Sequence, residues 1–318
     1  MTSPQDSMTQ AHYIVVGGGT SGLVVANRLT ENPDVHILVL EAGVNHNDDP
    51  RVQVPAFWTT LLGSEADWQY RYVPKPGLGG RTISEPQGKL LRGSSAINCQ
   101  SFIAPAQAEI DSWAKLGNNN WDWTALSPYY KKFYTLFATT RQRNSRTSSL
   151  RMTDPFSGNS TGGYSNAATV DIATKTRSYA GSAYGVPALQ RPNFHLITGA
   201  TVHKIFFEDT SGGVIATGVL ATVNGEIKQF TATMEVILAA GVFNTPKLLE
   251  KSGIGVFHPF SRGSTHISSS NIDDAPDIDP RFLSHPADLE IFARHIQTLE
   301  TLRQTRWEAK SPRFLPYP

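Results

Sequence analysis

Ile14, Val15 and Val16 form a short apolar run that halts at three glycines, the pattern of a strand buried on both faces. Leu23, Val24, Ala26, Asn27 and Leu29 follow at helical spacing, and a second apolar run from Val35 to Leu40 ends in Glu41. Residues 12–43 therefore predict a strand, a helix and a second strand. Residues 107–137 predict two helices separated by the turn Gly117-Asn118-Asn119-Asn120, and a further helix is expected at about Ser178 to Tyr184. A strand at Phe194 to Thr198 turns at Gly199, and 202–207 and 214–223 alternate as strands do. Asn224-Gly225 is a type I′ hairpin signal leading into Ile227 to Ala232. Glu235 to Gly241 predicts another buried strand, and Thr245-Pro246 a helix start with the proline at the first helical position.

The chemistry concentrates at the first turn. Gly17, Gly19 and Gly22 fall into the G-x-G-x-x-G spacing between a strand and a helix. Gly17 permits the tight turn, Gly19 removes a side chain where a pyrophosphate must approach the backbone, and Gly22 lets helix and strand pack closely. Thr20 and Ser21 open the helix, whose N-terminus offers unpaired N–H groups and a partial positive charge to phosphates. Glu41 lies at about the 20-residue distance expected of a carboxylate that accepts from a ribose hydroxyl, with Ala42 beside it. An acid there repels a 2′-phosphate, which disfavours NADP.

Composition narrows the class. The 318 residues suffice for two domains or one large one, and the net charge of +1, from 28 basic and 27 acidic residues without long blocks, suggests no nucleic-acid partner. A single cysteine, Cys99, excludes an intramolecular disulfide and a multi-cysteine metal site. No apolar run is long enough to span a bilayer, and Met1 to Gln10 shows no signal-peptide pattern, so a cytoplasmic, soluble protein is expected.

A second glycine-rich stretch, Gly88-Lys89-Leu90-Leu91-Arg92-Gly93-Ser94-Ser95-Ala96-Ile97-Asn98, carries small residues that would let backbone approach a flat ring system. With the opening fingerprint, and with Ala239-Ala240-Gly241 through Asn244-Thr245-Pro246 to Ser252-Gly253-Ile254-Gly255, it resembles the FAD-dependent glucose–methanol–choline (GMC) oxidoreductases, fungal members above all. The resemblance implies an α/β, Rossmann-like FAD-binding domain with a reduced α+β substrate domain. It places the first in 10–105 and 190–255 and the second in 106–189 and 256–318. It implies flavin contacts from Gly93, Ser94, Asn98, Cys99, Gln100 and Ser101, and an adenine contact from the backbone of Val202. Cys99 reads equally well as a small buried apolar residue. Arg92 stands where the family usually has glycine, and either crowds the isoalloxazine or pairs with a phosphate. Trp68, Tyr70 and Tyr72 read as packing under a long loop.

Residues 139–152 are basic, Ser/Thr-rich and without apolar periodicity, as a linker would be. Against the family, the chain looks internally deleted here and after Gly255, and lacks the C-terminal section that carries the catalytic histidine. His258-Pro259 and His285-Pro286 lack the Gly-Thr that follows that histidine, and His12, His195, His203 and His266 carry no catalytic signal. The resemblance implies oxidation of a small-molecule alcohol by hydride transfer to flavin, with secondary metabolism as an analogy only. The alternative is a catalytically inactive GMC remnant. An NAD-dependent dehydrogenase built on the first unit is disfavoured by the two flavin-family stretches and by the absence of a Tyr-x-x-x-Lys spacing. A fold cut in this way would expose apolar surface and sheet edges, so self-association is expected.

Overall fold

The computed structural model describes residues 8–46, 48–74, 79–132, 134–137, 155–159, 166–211, 213–252 and 263–280. The linker at 139–152, His258 and His285 lie outside them. The chain opens with β1 (Gln10–Val16), α1 (Thr20–Leu29) and β2 (Ile37–Glu41). After a short α2 (Pro50–Gln53) come two small strands, β3 (Tyr70–Arg71) and β4 (Ser84–Glu85), which pair with each other. Then come β5 (Ser101–Phe102), α3 (Gln107–Lys115), α4 (Trp123–Lys132) and β6 (Ala167–Ala168), with β6 paired to β5. A single π-helical turn, Gly181–Gly185, runs straight into α5 (Val186–Leu189). The helix expected at 178–184 therefore begins later, and Pro187 lies where the π-helical turn passes into α5.

β7 (Phe194–Thr198), β8 (Ala200–Thr210), β9 (Gly213–Val223) and β10 (Glu226–Leu238) join β1 and β2 in a six-stranded sheet of order β7-β2-β1-β10-β9-β8. The strands β7, β2, β1 and β10 run parallel, and β9 and β8 continue as an antiparallel meander. The parallel part is buried on both faces. Ile14, Val16, Leu38 and Leu40 pack with Val219, Phe230 and Leu248 on one side. Val15, Ile37 and Val39 pack with Leu23, Ala26, Ala188 and Phe194 on the other. Burial on both faces is why β1 and β2 read as unbroken apolar runs.

Two elements differ from expectation. The runs 227–232 and 235–241 are not separate strands: β10 is one 13-residue strand whose first half pairs with β9 and whose second half pairs with β1. The Asn224-Gly225 turn is as expected, with φ of 52° and 84°, both in the region that a type I′ turn requires. Helix α6 (Gly241–Lys251) begins five residues before Pro246, which lies inside it rather than at its first position. The proline leaves the Val242 carbonyl without its helical donor, one turn from the helix start. Beyond α6, β11 (Ser264–His266) and β12 (Asp277–Asp279) form a hairpin that reaches the chain just past β3, where Val73 N–H donates to Ile278 O at 3.0 Å.

Candidate nucleotide site

The C-terminal ends of β1 and β2 and the start of β8 open on one cavity of about 800 Å³. Gly17, at φ 106°, turns the chain from β1 into α1. A Cβ at Gly22 would lie 1.9 Å from Gly17 O, so helix and turn touch there as backbone on backbone. Gly19 differs: a Cβ there would meet only Gly93 Cα, at 3.7 Å. Its missing side chain opens the cavity rather than closing a contact. The first intrahelical bond is Leu23 N–H to Gly19 O at 3.0 Å, so the N–H groups of Thr20, Ser21 and Gly22 precede the ladder. No acidic residue stands in that first turn to compete with an anion.

Glu41 closes the end of β2. Its Oε2 accepts from Gly18 N–H and its Oε1 from Gly43 N–H, each at 2.7 Å. Burial raises its pKa to about 7 against the opposing pull of those two N–H groups. Each oxygen keeps a second lone pair for a ribose hydroxyl. The side chain thus braces the glycine-rich turn and faces the cavity at once.

Of the sequence-predicted residues, Gly17, Gly19, Thr20, Ser21, Glu41 and Ala42 line the cavity, as do Gly93, Ser94 and Val202. Gly22 lies behind them, in the helix–turn contact. Asn98, Cys99, Gln100 and Ser101 are not part of the lining. Cys99 is exposed, not a buried apolar residue. Gln100 is buried with its Nε2 on Pro55 O, and Asn98 Oδ1 accepts from Arg177 Nη1 at 2.8 Å. The Ser94 hydroxyl is engaged within the loop, accepting from Gly88 N–H and donating to Gln87 Oε1, and Ser95 donates to Arg92 O.

Arg92 takes neither of its expected roles. It is buried, in the left-handed region at φ 89°, and its side chain runs away from the cavity. Nη1 donates to Asn45 Oδ1 at 3.0 Å, and the guanidinium lies 5.7 Å from the Tyr179 ring centroid. Its backbone N–H donates to Gly18 O at 2.7 Å, tying the second glycine-rich stretch to the first. Trp68 and Tyr70 serve both packing and cavity: they stack at 5.9 Å, Tyr70 meets Phe243 edge-on, and its hydroxyl donates to Asn244 Oδ1 at 2.8 Å. No histidine among the described residues lines the cavity. His203 bonds Thr222, and His266 bonds Glu250.

A Gly-rich turn, an acid at the end of the second strand and a small-residue loop crossing the turn describe a dinucleotide site. Residues 11–286 match the family profile described as GMC oxidoreductase. The chain belongs to the GMC oxidoreductases. Among curated proteins, this GMC chain is 35% identical to the dehydrogenase citC of Monascus ruber, over 78% of its own length and 46% of the relative's. It is 33% identical to a dehydrogenase of Armillaria gallica, over 87% of itself and 50% of the other. The chain thus spans about half the length of the curated relatives it matches. Among solved structures, pyridoxine 4-oxidase superposes with a TM-score of 0.80, covering 92% of this chain and 80% of that one, at 20% identity. An FAD-dependent oxidoreductase from Chaetomium thermophilum superposes at 0.69 and 28% identity, covering 77% and 48%. The cofactor of the GMC family is FAD, and the cavity presents open backbone at Gly19 and the Glu41 carboxylate at the end of β2.

Two further buried cations hold the segments around the site, and neither is visible in sequence. Arg177 is fully buried and donates to Val52 O, Ser95 O and Asn98 O, joining three segments behind the 93–98 loop. Burial lowers its pKa to about 10, so it stays charged at neutral pH. Lys247, on α6, is buried with its ammonium on Asp274 O at 2.7 Å and on Ile272 O. Only the length of each side chain and its distant partners give these residues their place.

Proposed function

We propose that this chain holds FAD and, as part of a GMC-type oxidoreductase, serves the oxidation of a small-molecule alcohol. The observation that carries the reading is the single cavity shared by the Gly17–Ser21 turn, Glu41, Gly93 and Val202. In this reading the first-turn N–H groups of α1 hold the pyrophosphate and Glu41 takes the ribose hydroxyls. The backbone at Gly93 and Ser94 receives the edge of the ring system. Bound flavin supplies the hydride acceptor. The alcohol class is supported by a fungal aryl-alcohol oxidase, 25% identical with a TM-score of 0.66 over 77% of this chain. The base that takes the alcohol proton is assigned to no described residue.

The test is an absorbance spectrum of the purified protein before and after incubation with FAD and desalting. Flavin bands that survive desalting support the reading, and anaerobic bleaching by a panel of primary alcohols identifies the substrate class. Loss of all flavin on desalting overturns it. No helix among the described residues is long and apolar enough to cross a membrane. Self-association is part of the proposal, supported by exposed Leu116, Trp121 and Tyr129 on and beside α3 and α4. A monodisperse monomer in light scattering would count against it.

A further inference from the structure

The direction of the nucleotide in the cavity is set by three fixed points. The pyrophosphate belongs at the α1 N-terminus and the ribose at Glu41, so the base lies beyond Glu41, toward Val202 at the start of β8. The opposite end, at Gly93 and Ser94, takes the other half of the dinucleotide. A segment that no dinucleotide fingerprint contains also lines the cavity, at Ile272 and Asp273, on the side of α6, whose C-terminal Ser252 Oγ accepts from Ile205 N–H of β8 at 3.2 Å.

That segment is lashed to α6. Lys247 donates to the carbonyls of Ile272 and Asp274, the residues on either side of Asp273. Lys251 donates to Ser270 O, and Glu250 accepts from Ile267 N–H at 2.7 Å. Within the loop, the Asp274 carboxylate is occupied by Ser269 Oγ and Asn271 Nδ2. Asn271 Oδ1 accepts from Asp273 N–H at 3.2 Å, fixing the backbone at that point. The Asp273 carboxylate accepts no hydrogen bond from any described residue. Its charge is felt at His203, next to Val202, and at Lys247. A held backbone, a neighbour carboxylate already engaged and an open one at the base end make Asp273 the acceptor left for a ligand.

We infer that Asp273 is a specificity residue of the nucleotide site, accepting a hydrogen bond from the 6-amino group of the adenine, and that Lys247 is the residue that positions it. The inference rests on the dinucleotide reading of the cavity. Adenine presents an N–H donor at that position, and a carboxylate acceptor rewards it as a charge-assisted bond. Lys247 acts through the backbone: with both flanking peptides held, the Asp273 side chain leaves from a fixed Cα.

The test compares two ligands that differ only in the amine: ADP, and purine riboside 5′-diphosphate, which lacks it. Calorimetric titration of the full chain should show ADP binding about tenfold tighter, the size expected of a hydrogen bond to a charged group. Asp273→Ala should bring that ratio to about one by weakening ADP alone, with melting temperature unchanged because the side chain is exposed. Lys247→Met should reduce the ratio as well, and Lys247→Arg should restore it, since a guanidinium also reaches two carbonyls. A ratio unchanged in Asp273→Ala, or equal loss for both ligands, overturns the inference and leaves the dinucleotide site standing. Absence of ADP binding by the wild type overturns both.

Discussion

Glu41 accepts from Gly18 N–H at 2.7 Å, so the acid assigned to the ribose also holds the glycine-rich turn assigned to the phosphates. Burial raises this carboxyl from 4.5 to about 7, with the Gly43 and Gly18 N–H groups pulling the other way. A raised acid binds more protons folded than unfolded between those two values. Its stabilising contribution is therefore complete below pH 4.5 and is lost as pH rises through 7, a change of about 3 kcal/mol. Denaturant unfolding at pH 5 and pH 8 should show this slope, and Glu41→Gln should abolish it. Ribose hydroxyls favour the ionised form, so ADP binding should release a proton and strengthen as pH rises from 6 to 8. Affinity that is flat or falls over that range contradicts the assigned role.

Gly19 and Gly22 separate binding from folding within one motif. An alanine at Gly22 places its Cβ 1.9 Å from a backbone oxygen that cannot yield, so Gly22→Ala should destabilise strongly. Gly19 has ordinary φ of −78° and only Gly93 Cα nearby, so Gly19→Ala should change stability by no more than about 0.5 kcal/mol. In the proposed reading, the same methyl occupies the room a pyrophosphate needs. Calorimetry with ADP should show at least about a tenfold loss for Gly19→Ala, a cost of about 1.4 kcal/mol or more.

The β1–α1–β2 unit was legible because each of its parts writes a distinct pattern: two apolar runs, three glycines at fixed spacing and one acid. The hairpin at Asn224-Gly225 was legible for the same reason. The continuity of β10 was not, because changing partner from β9 to β1 near Thr231 alters no residue preference along the strand. Pro246 misled because a proline is favoured at a helix start, whereas here α6 starts earlier at Gly241, whose φ of 84° only glycine readily adopts. Arg177 and Lys247 look like surface cations in sequence. Arg177 finds its acceptors at Val52 and Ser95, separated by 125 and 82 residues, and no local rule reaches that far.

Arg92 and Gly181 form a matched pair. A Cβ at Gly181 would lie 1.9 Å from Arg92 Cδ, so the glycine leaves room for the arginine. Arg92 bears left-handed backbone strain of about 1–2 kcal/mol, offset by its bond to Asn45 and its contact with Tyr179. Gly181→Ala alone should destabilise by about 1–3 kcal/mol through overpacking. Arg92→Gly relieves the strain but empties a buried space. The double variant should recover a substantial part of both losses, and a double-mutant cycle on unfolding free energies measures the coupling. Simple additivity would show that the two positions do not sense each other.

Arg177 sets the last expectation. From a buried position, its donors satisfy three backbone carbonyls and the Asn98 side chain. Arg177→Met keeps much of the apolar stem and removes every donor, leaving the Val52, Ser95 and Asn98 carbonyls without their partner at about 1–3 kcal/mol each. Loss on the order of 3–5 kcal/mol is therefore expected in denaturant unfolding, enough to unfold a chain of ordinary stability. Arg177→Lys should recover only part, because an ammonium is a point donor and the acceptors diverge from Val52 to Asn98. The effect on the nucleotide should be indirect, since Arg177 does not line the cavity. In folded Arg177→Lys, ADP affinity should stay within about threefold, below about 1 kcal/mol by the usual conversion, while the melting temperature falls. A selective loss of ADP binding without destabilisation would place Arg177 in the site itself.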